Sequence, residues 1–217
     1  MKTFLISSIL LLAISTYAQG PVRFAFKFGV SPGNNTSGQR LIINRTNPLE
    51  EFRIGLSASK QQLFGEVSAH VKLNGHFFLE SGIGYTRAAS VYKLDFQMLQ
   101  PDMPSKEMYM RDSKNLLLLP VQIGVVLGKL EVLSGFRATH AFSSKNELTH
   151  VKGFSGKSSG VGLGWQFGAR YPIRNTLLGV DYHGNFQRVG TGMIVNNQSL
   201  EIMNIPGQWV FNIQYRL

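Results

Sequence analysis

Gln208-Trp209-Val210-Phe211-Asn212-Ile213-Gln214-Tyr215-Arg216-Leu217 is the stretch on which the fold turns. Trp209, Phe211, Ile213, Tyr215 and Leu217 alternate with Gln208, Val210, Asn212, Gln214 and Arg216. Successive side chains of a strand point to opposite faces, so one face here is aromatic and aliphatic and the other is polar apart from Val210. A half-buried strand of a soluble sheet shares this pattern. About ten residues is also the length a tilted strand needs to cross a bilayer.

The same period of two recurs upstream. Leu178, Val180, Tyr182 and Phe186 share a parity with Gly184, against Asp181, His183, Asn185 and Gln187. Val161, Leu163, Trp165, Phe167, Ala169 and Tyr171 alternate with Gly162, Gly164, Gln166, Gly168 and Arg170. Near the start, Val22, Phe24, Phe26, Phe28 and Val30 alternate with Arg23, Ala25, Lys27 and Gly29. Residues 64–73, 77–96, 116–127 and 130–143 repeat the pattern, setting Glu66, His70, Lys72, Glu80, Gln122, Glu131 and Arg137 against bulky apolar neighbours. Small and polar residues suit a crowded lumen, and bulky apolar ones suit lipid.

The parity breaks in two places. Arg87 and Lys93 fall on the outward face, so the upper part of that strand is expected to rise beyond the membrane. Ile54, Leu56 and Ala58 have the parity opposite to Val67, Ala69 and Val71. Either a β-bulge near residues 60–62 or a loop hairpin over 52–59 accounts for the switch.

Link lengths give an independent check. Leu73-Asn74-Gly75-His76, Gly128-Lys129 and Pro172-Ile173-Arg174-Asn175 are short, whereas residues 32–51, 97–113, 144–157 and 190–205 form longer links. Short and long alternate, as they do in outer-membrane barrels with short periplasmic turns and longer outer loops.

Composition agrees with this. The 217 residues suit one domain, 23 glycines favour strands and turns, and the absence of cysteine rules out a disulfide framework. Residues 1–18 read as a cleaved signal peptide: Lys2 is the basic start, Phe4 to Ile14 the apolar run, and Thr16-Tyr17-Ala18 the cutting site before Gln19. That run is short of the roughly 20 residues of a spanning helix. The formal charge of +10 does not gather into a stripe or helix face, so the expected partner is acidic lipid headgroup or surface sugar and not nucleic acid.

These readings predict an all-β chain: an eight-stranded antiparallel up-and-down transmembrane β-barrel over residues 19–217, in the outer membrane of a Gram-negative bacterium. Lipid offers no hydrogen bonds, so the strand at 208–217 must pair back to the one near 22–30. Trp209, Phe211, Ile213, Tyr215 and Leu217 then face lipid. Arg23, Lys27, Glu66, His70, Glu80, Glu131, Arg137, Arg170, Asp181, His183 and Arg216 form a polar network inside. A barrel this narrow is filled by its own side chains, which argues against a pore.

Three stretches resemble the PorT-like family of outer-membrane β-barrel proteins, common in Bacteroidetes. One is Leu116-Leu117-Leu118-Leu119-Pro120-Val121, followed after a tight turn by Leu133-Ser134-Gly135. Another is the glycine-repeating run from Gly160 to Tyr171. The last is Val210-Phe211-Asn212-Ile213-Gln214-Tyr215-Arg216-Leu217. The family commonly ends Gly-Tyr-Arg-Phe, and this chain ends Gln-Tyr-Arg-Leu. The resemblance implies the barrel fold and, for some members, a place in type IX secretion. It implies no catalytic residues.

Functional candidates are few. His140, Ser143 and Glu147 have the residue types of a hydrolytic triad, but a triad is a matter of geometry. Phe154-Ser155-Gly156-Lys157-Ser158 lacks the first glycine of a phosphate loop. No metal motif and no cofactor is read. The expected role is non-enzymatic, structural or interactive within the envelope. A lipid-modifying hydrolase and a narrow ligand-uptake barrel stand as alternatives. Expected partners are outer-membrane lipid, the barrel-insertion machinery and other envelope or secretion proteins met through the outer loops. The link at 97–113, with Met98, Met103, Met108, Met110 and Tyr109, is a docking patch or a lid.

Overall fold

The computed structural model describes residues 22–35, 41–47, 50–98, 106–147, 154–158, 161–186, 191–195, 198–201 and 207–217. The segment expected as a signal peptide lies outside them. In chain order the strands are β1 (Arg23–Ser31), β2 (Asn34–Asn35), β3 (Leu41–Asn47), β4 (Glu50–Ser59), β5 (Gln62–Lys72), β6 (Phe77–Met98) and β7 (Lys106–Leu127). Then come β8 (Leu130–Asn146), β9 (Phe154–Ser158), β10 (Val161–Ile173), β11 (Thr176–Asn185), β12 (Thr191–Val195), β13 (Gln198–Glu201) and β14 (Gln208–Arg216).

β1, β5, β6, β7, β8, β10, β11 and β14 form a ring, each antiparallel to the next. The ring closes where β14 meets β1, from Ala25 opposite Arg216 to Val30 opposite Phe211. Leu217 lies one residue past β14, yet its N–H donates to the Phe24 carbonyl at 2.9 Å, so the last residue still belongs to the ladder. Closure leaves no open edge in the ring, which is what a sheet in hydrocarbon requires. The fold is therefore the eight-stranded up-and-down transmembrane barrel that the alternation predicts.

Burial is inverted relative to a soluble sheet. Phe28, Phe136, Phe167, Trp209, Phe211 and Ile213 are exposed on the outside, while Lys27, Glu66, Glu80, Gln122, Arg170, Asp181 and Gln214 are buried within. Aromatic contacts bind the outer surface across strands. Trp165 lies 5.4 Å from Tyr182, and Tyr182 lies 5.0 Å from Trp209, between ring centroids. Such clusters suit the girdles that flank the apolar band of a membrane barrel.

The start of β1, the end of β14 and the tight turns share one end, here called lower. Asn74 builds the first turn: its Oδ1 accepts from the N–H groups of His76 at 2.9 Å and Phe77 at 2.8 Å. In the second, Gly128 takes φ 63°, a conformation that costs glycine little. The third is shorter than the expected four-residue link. Pro172 and Ile173 still pair with Leu177 and Thr176, leaving Arg174 and Asn175, and Arg174 carries φ 57°.

Pro120 sits inside β7 although proline cannot donate to a ladder. The β6–β7 pairing skips there, from Ser81 opposite Val121 to Gly84 opposite Leu118. The Ser81 hydroxyl donates to the Pro120 carbonyl at 3.1 Å, so that acceptor is not left bare.

The upper end departs from the expected loops. β6 and β7 each run 22 residues. At about 3.3 Å per residue, that is roughly twice the span a crossing strand needs. Residues 106–113, expected within a Met-rich loop, are instead strand, paired with β6 from Phe96 opposite Lys106 to Ala89 opposite Ser113. Met108 and Met110 are half-buried and Tyr109 is exposed. Met103 lies outside the described residues.

The parity switch at residues 54–58 has a physical reason. β4 and β5 run the same way along β6, β4 beside Ser90–Met98 and β5 beside Phe78–Thr86, with a break at Lys60 and Gln61. Lys60 N–H bridges the break by donating to the Ala89 carbonyl at 2.8 Å. Ile54 pairs across from Leu94 and Leu56 from Tyr92, and all four are buried. Above the membrane the outside is water, so the apolar face turns inward again.

Candidate functional site

The lumen is the densest chemistry in the molecule. Its centre is Arg170 on β10, which is 0% exposed. Its Nη1 donates to both Glu80 oxygens at 2.8 and 2.9 Å and to Gln214 Oε1 at 2.6 Å. Its Nη2 donates to Gln122 Oε1 at 3.4 Å. Gln214 Nε2 donates in turn to Glu80 Oε2 at 3.3 Å and to Ser68 Oγ at 3.5 Å. Side chains from β5, β6, β7, β10 and β14 thus meet across the interior, which blocks it.

Two further groups flank this centre. Toward the upper end, the Lys27 ammonium lies 3.2 Å from Glu66 and 3.5 Å from Asp181, and Asn212 Nδ2 donates to Asp181 Oδ2 at 3.0 Å. Toward the lower end, Arg216 forks onto Glu131 at 2.7 and 2.6 Å, with its Nη2 3.4 Å from His70 Nδ1. His70 ties the tiers together, because its Nδ1 is 3.7 Å from Glu80 and its ring lies 4.4 Å from Phe78. Glycines make the room. A Cβ at Gly168 would stand 2.0 Å from Asp181 Oδ1, and one at Gly124 would stand 2.1 Å from the Phe78 ring.

The structure brings together Lys27, Glu66, His70, Glu80, Glu131, Arg170, Asp181 and Arg216 from the sequence-predicted network. Arg137 and His183 sit apart, near the upper mouth. Arg137 Nη2 donates to Asn185 Oδ1 at 3.4 Å, while His183 stands edge-on to Phe64 at 6.2 Å. Arg23 is a correction. It has inward parity but lies at the lower mouth and is exposed, as is Lys72. Both are strand ends, where the ring stops and water begins. The sequence reading missed Phe78, Leu133 and Leu177, which are buried inside the barrel. Their parity matched that of Glu80, Glu131 and Gly179, but apolar residues drew no notice in a lumen read for charge.

What this lumen can do chemically is limited. Buried ion pairs add little net stability, because desolvation offsets their attraction. They do penalise any register that leaves one partner alone. The upper mouth holds a cavity of about 40 Å³ lined by Phe64, Leu116, Arg137, Thr139, His183 and Val210 among others. At about 10–15 Å³ for one water, it has room for roughly three and none for a drug-sized ligand.

The triad candidates sit on the outside. His140 lies opposite Leu117 and Ser143 opposite Asn115 on β7, and both are exposed. Glu147 Oε2 accepts the Arg111 backbone N–H at 2.8 Å, an occupation unlike that of an acid orienting a catalytic histidine. Gly156, Lys157 and Ser158 lie within β9, paired with β12, and a phosphate loop needs a turn there. Among the described residues no group of three His, Asp or Glu could hold a metal.

Beyond the outer rim, the β6–β7 ribbon carries its own ion pairs. Lys93 Nζ donates to Glu107 at 2.5 Å and lies 3.5 Å from Asp95. The Glu107 hydrogen bond holds that ammonium above the ordinary lysine range.

No known family profile matches the chain, and no curated protein does. Among solved structures, the chain is similar to the outer membrane protein OprG from Pseudomonas aeruginosa. Identity is 12%, the TM-score is 0.51, and the match covers 93% of this chain and 97% of OprG. It also aligns with the Yersinia pestis outer membrane protein Ail in phospholipid bilayer nanodiscs, at 13% identity and TM-score 0.36, covering 91% of this chain and 100% of Ail. The Ail score is too low to argue from. The likeness to OprG is one of fold.

Proposed function

We propose that the chain is an integral outer-membrane protein whose barrel is closed to diffusion. It acts without catalysis, through the strands and links that stand beyond its outer rim. The observation that carries this reading is the crossing of the lumen by Arg170, Glu80, Gln122, Gln214 and Ser68 inside a belt of lipid-suited aromatic residues. A plugged barrel has no transport path, and long elements on a rigid scaffold are where contacts are made. Lipid and the barrel-insertion machinery are its partners on this reading. The likeness to PorT-like proteins supports a secretion accessory as the specific role.

Membrane fractionation joined to cold and boiled gel electrophoresis tests location and closure. The expected result is outer-membrane partition, a band that shifts on boiling, and no steady conductance in a planar bilayer. Partition with soluble periplasmic proteins and one unshifted band would overturn the reading. Secretion is tested by deletion: undiminished export of type IX cargo would remove that role and leave the barrel reading intact.

A further inference from the structure

Sequence spacing shows no basic cluster, but the fold builds one. Lys60, Arg87, Arg111 and Lys145 are all exposed. Lys60 is bonded through its N–H to the Ala89 carbonyl, Ala89 lies opposite Ser113, and Ser113 lies opposite Lys145. One row across neighbouring strands therefore has lysine at each end and two small residues between. At about 4.8 Å per strand, the lysine backbones stand roughly 14 Å apart. Arg87 lies two residues from Ala89 down β6, and Arg111 lies two residues from Ser113 up β7, on the same outward parity. Four long cations thus frame a shallow saddle over Ala89 and Ser113, which are themselves buried.

The height of this saddle is informative. Two residues below Arg87 is Tyr85, whose hydroxyl donates to Asn115 Oδ1 at 2.9 Å and whose ring lies 6.2 Å from Phe142. Tyr85 and Phe142 are exposed on the belt, where an aromatic girdle marks the membrane–water boundary. The cations begin about 7 Å above that girdle, at headgroup level. The upper ends of β1, β10, β11 and β14 show no cation among the described residues. Nearby carboxylates are engaged elsewhere: Glu107 and Asp95 lie against Lys93, Asp112 lies 3.6 Å from Lys114, and Glu147 accepts the Arg111 backbone N–H.

We propose that the crest formed by Lys60, Arg87, Arg111 and Lys145 binds the phosphorylated headgroup of an outer-leaflet saccharolipid. Spread cations beside an aromatic boundary suit phosphate groups carried on a sugar whose acyl chains lie along the belt below. Binding is electrostatic and weakens as salt rises. The proposal rests on the outer-membrane reading above.

The test uses the full chain folded in detergent micelles, with diphosphoryl lipid A and its dephosphorylated form as probes. Lys60→Gln/Lys145→Gln is compared with Lys72→Gln/Lys129→Gln, a charge-matched change at the lower rim. The upper double variant is expected to bind diphosphoryl lipid A about 30-fold more weakly, with the lower one unchanged and the dephosphorylated probe weak throughout. Equal losses in both variants, equal binding of both probes, or binding of inorganic phosphate alone would each overturn the proposal. Every variant is first checked for the gel shift on boiling. A wild-type chain without that shift overturns the membrane reading and this one with it, whereas a shifted wild type that ignores the phosphates overturns this one alone.

Discussion

Replacing Arg170 with Met removes the cation at the centre of the lumen and keeps much of its volume. Arg170 contributes its hydrogen bonds to Glu80, Gln214 and Gln122 from a position with 0% exposure, so no water stands ready to replace it. Glu80 would keep the Gln214 amide at 3.3 Å and His70 at 3.7 Å, but would lose its fork. Breaking a buried pair from one side costs about 3–5 kcal/mol, because a charge is left uncompensated. That is roughly two to four orders of magnitude in the folded-to-unfolded ratio. Converting both partners, Arg170→Met with Glu80→Gln, removes the stranded charge, so most of the loss is expected to return. The assay is reversible urea unfolding in lipid vesicles. Its signals are the fluorescence of Trp165 and Trp209, both on the belt, and the fraction of unboiled protein in the fast band. A single variant within about 1 kcal/mol of wild type would refute the reasoning. So would a double variant as unstable as the sum of the two singles, since Arg170 would then act by volume and not by charge.

Other perturbations separate the remaining surfaces. Phe167→Arg, in the middle of β10 and 48% exposed, should cost about 2–4 kcal/mol in vesicles, read by the same unfolding midpoint. A cost near zero would mean that this face meets water. Gly168→Val should fail to give the fast-migrating band, because its Cβ would meet Asp181 Oδ1 at 2.0 Å. Recovery of that band in Gly168→Val/Asp181→Gly would show that the clash is the cause.

The alternation of residues 208–217, repeated in seven more segments, was enough for the number of strands in the ring, their inward and outward faces and the need to close it. Period two is local, and lipid forbids open edges, so topology follows without knowing any contact. Local reading also placed the turns at Asn74 and Gly128, where side-chain acceptors or glycine mark the chain reversal. It erred where the surroundings change. The inner face is polar within the membrane and apolar above it, so Ile54 and Leu56 looked out of register until their pairing with Leu94 and Tyr92 was known. The Met-rich stretch at 106–113 looked like a loop for a related reason: the hydrophobic rule that identified strands holds only at membrane depth. Which lumen charges meet was open to tertiary structure alone. Lys27, Glu66 and Asp181 come from three strands, and Arg170 finds Glu80 some 90 residues away. The basic crest is the same case. Its four cations are scattered along the chain, and only the register of β6, β7 and β8, with the break before β5, sets them on one saddle at the membrane boundary.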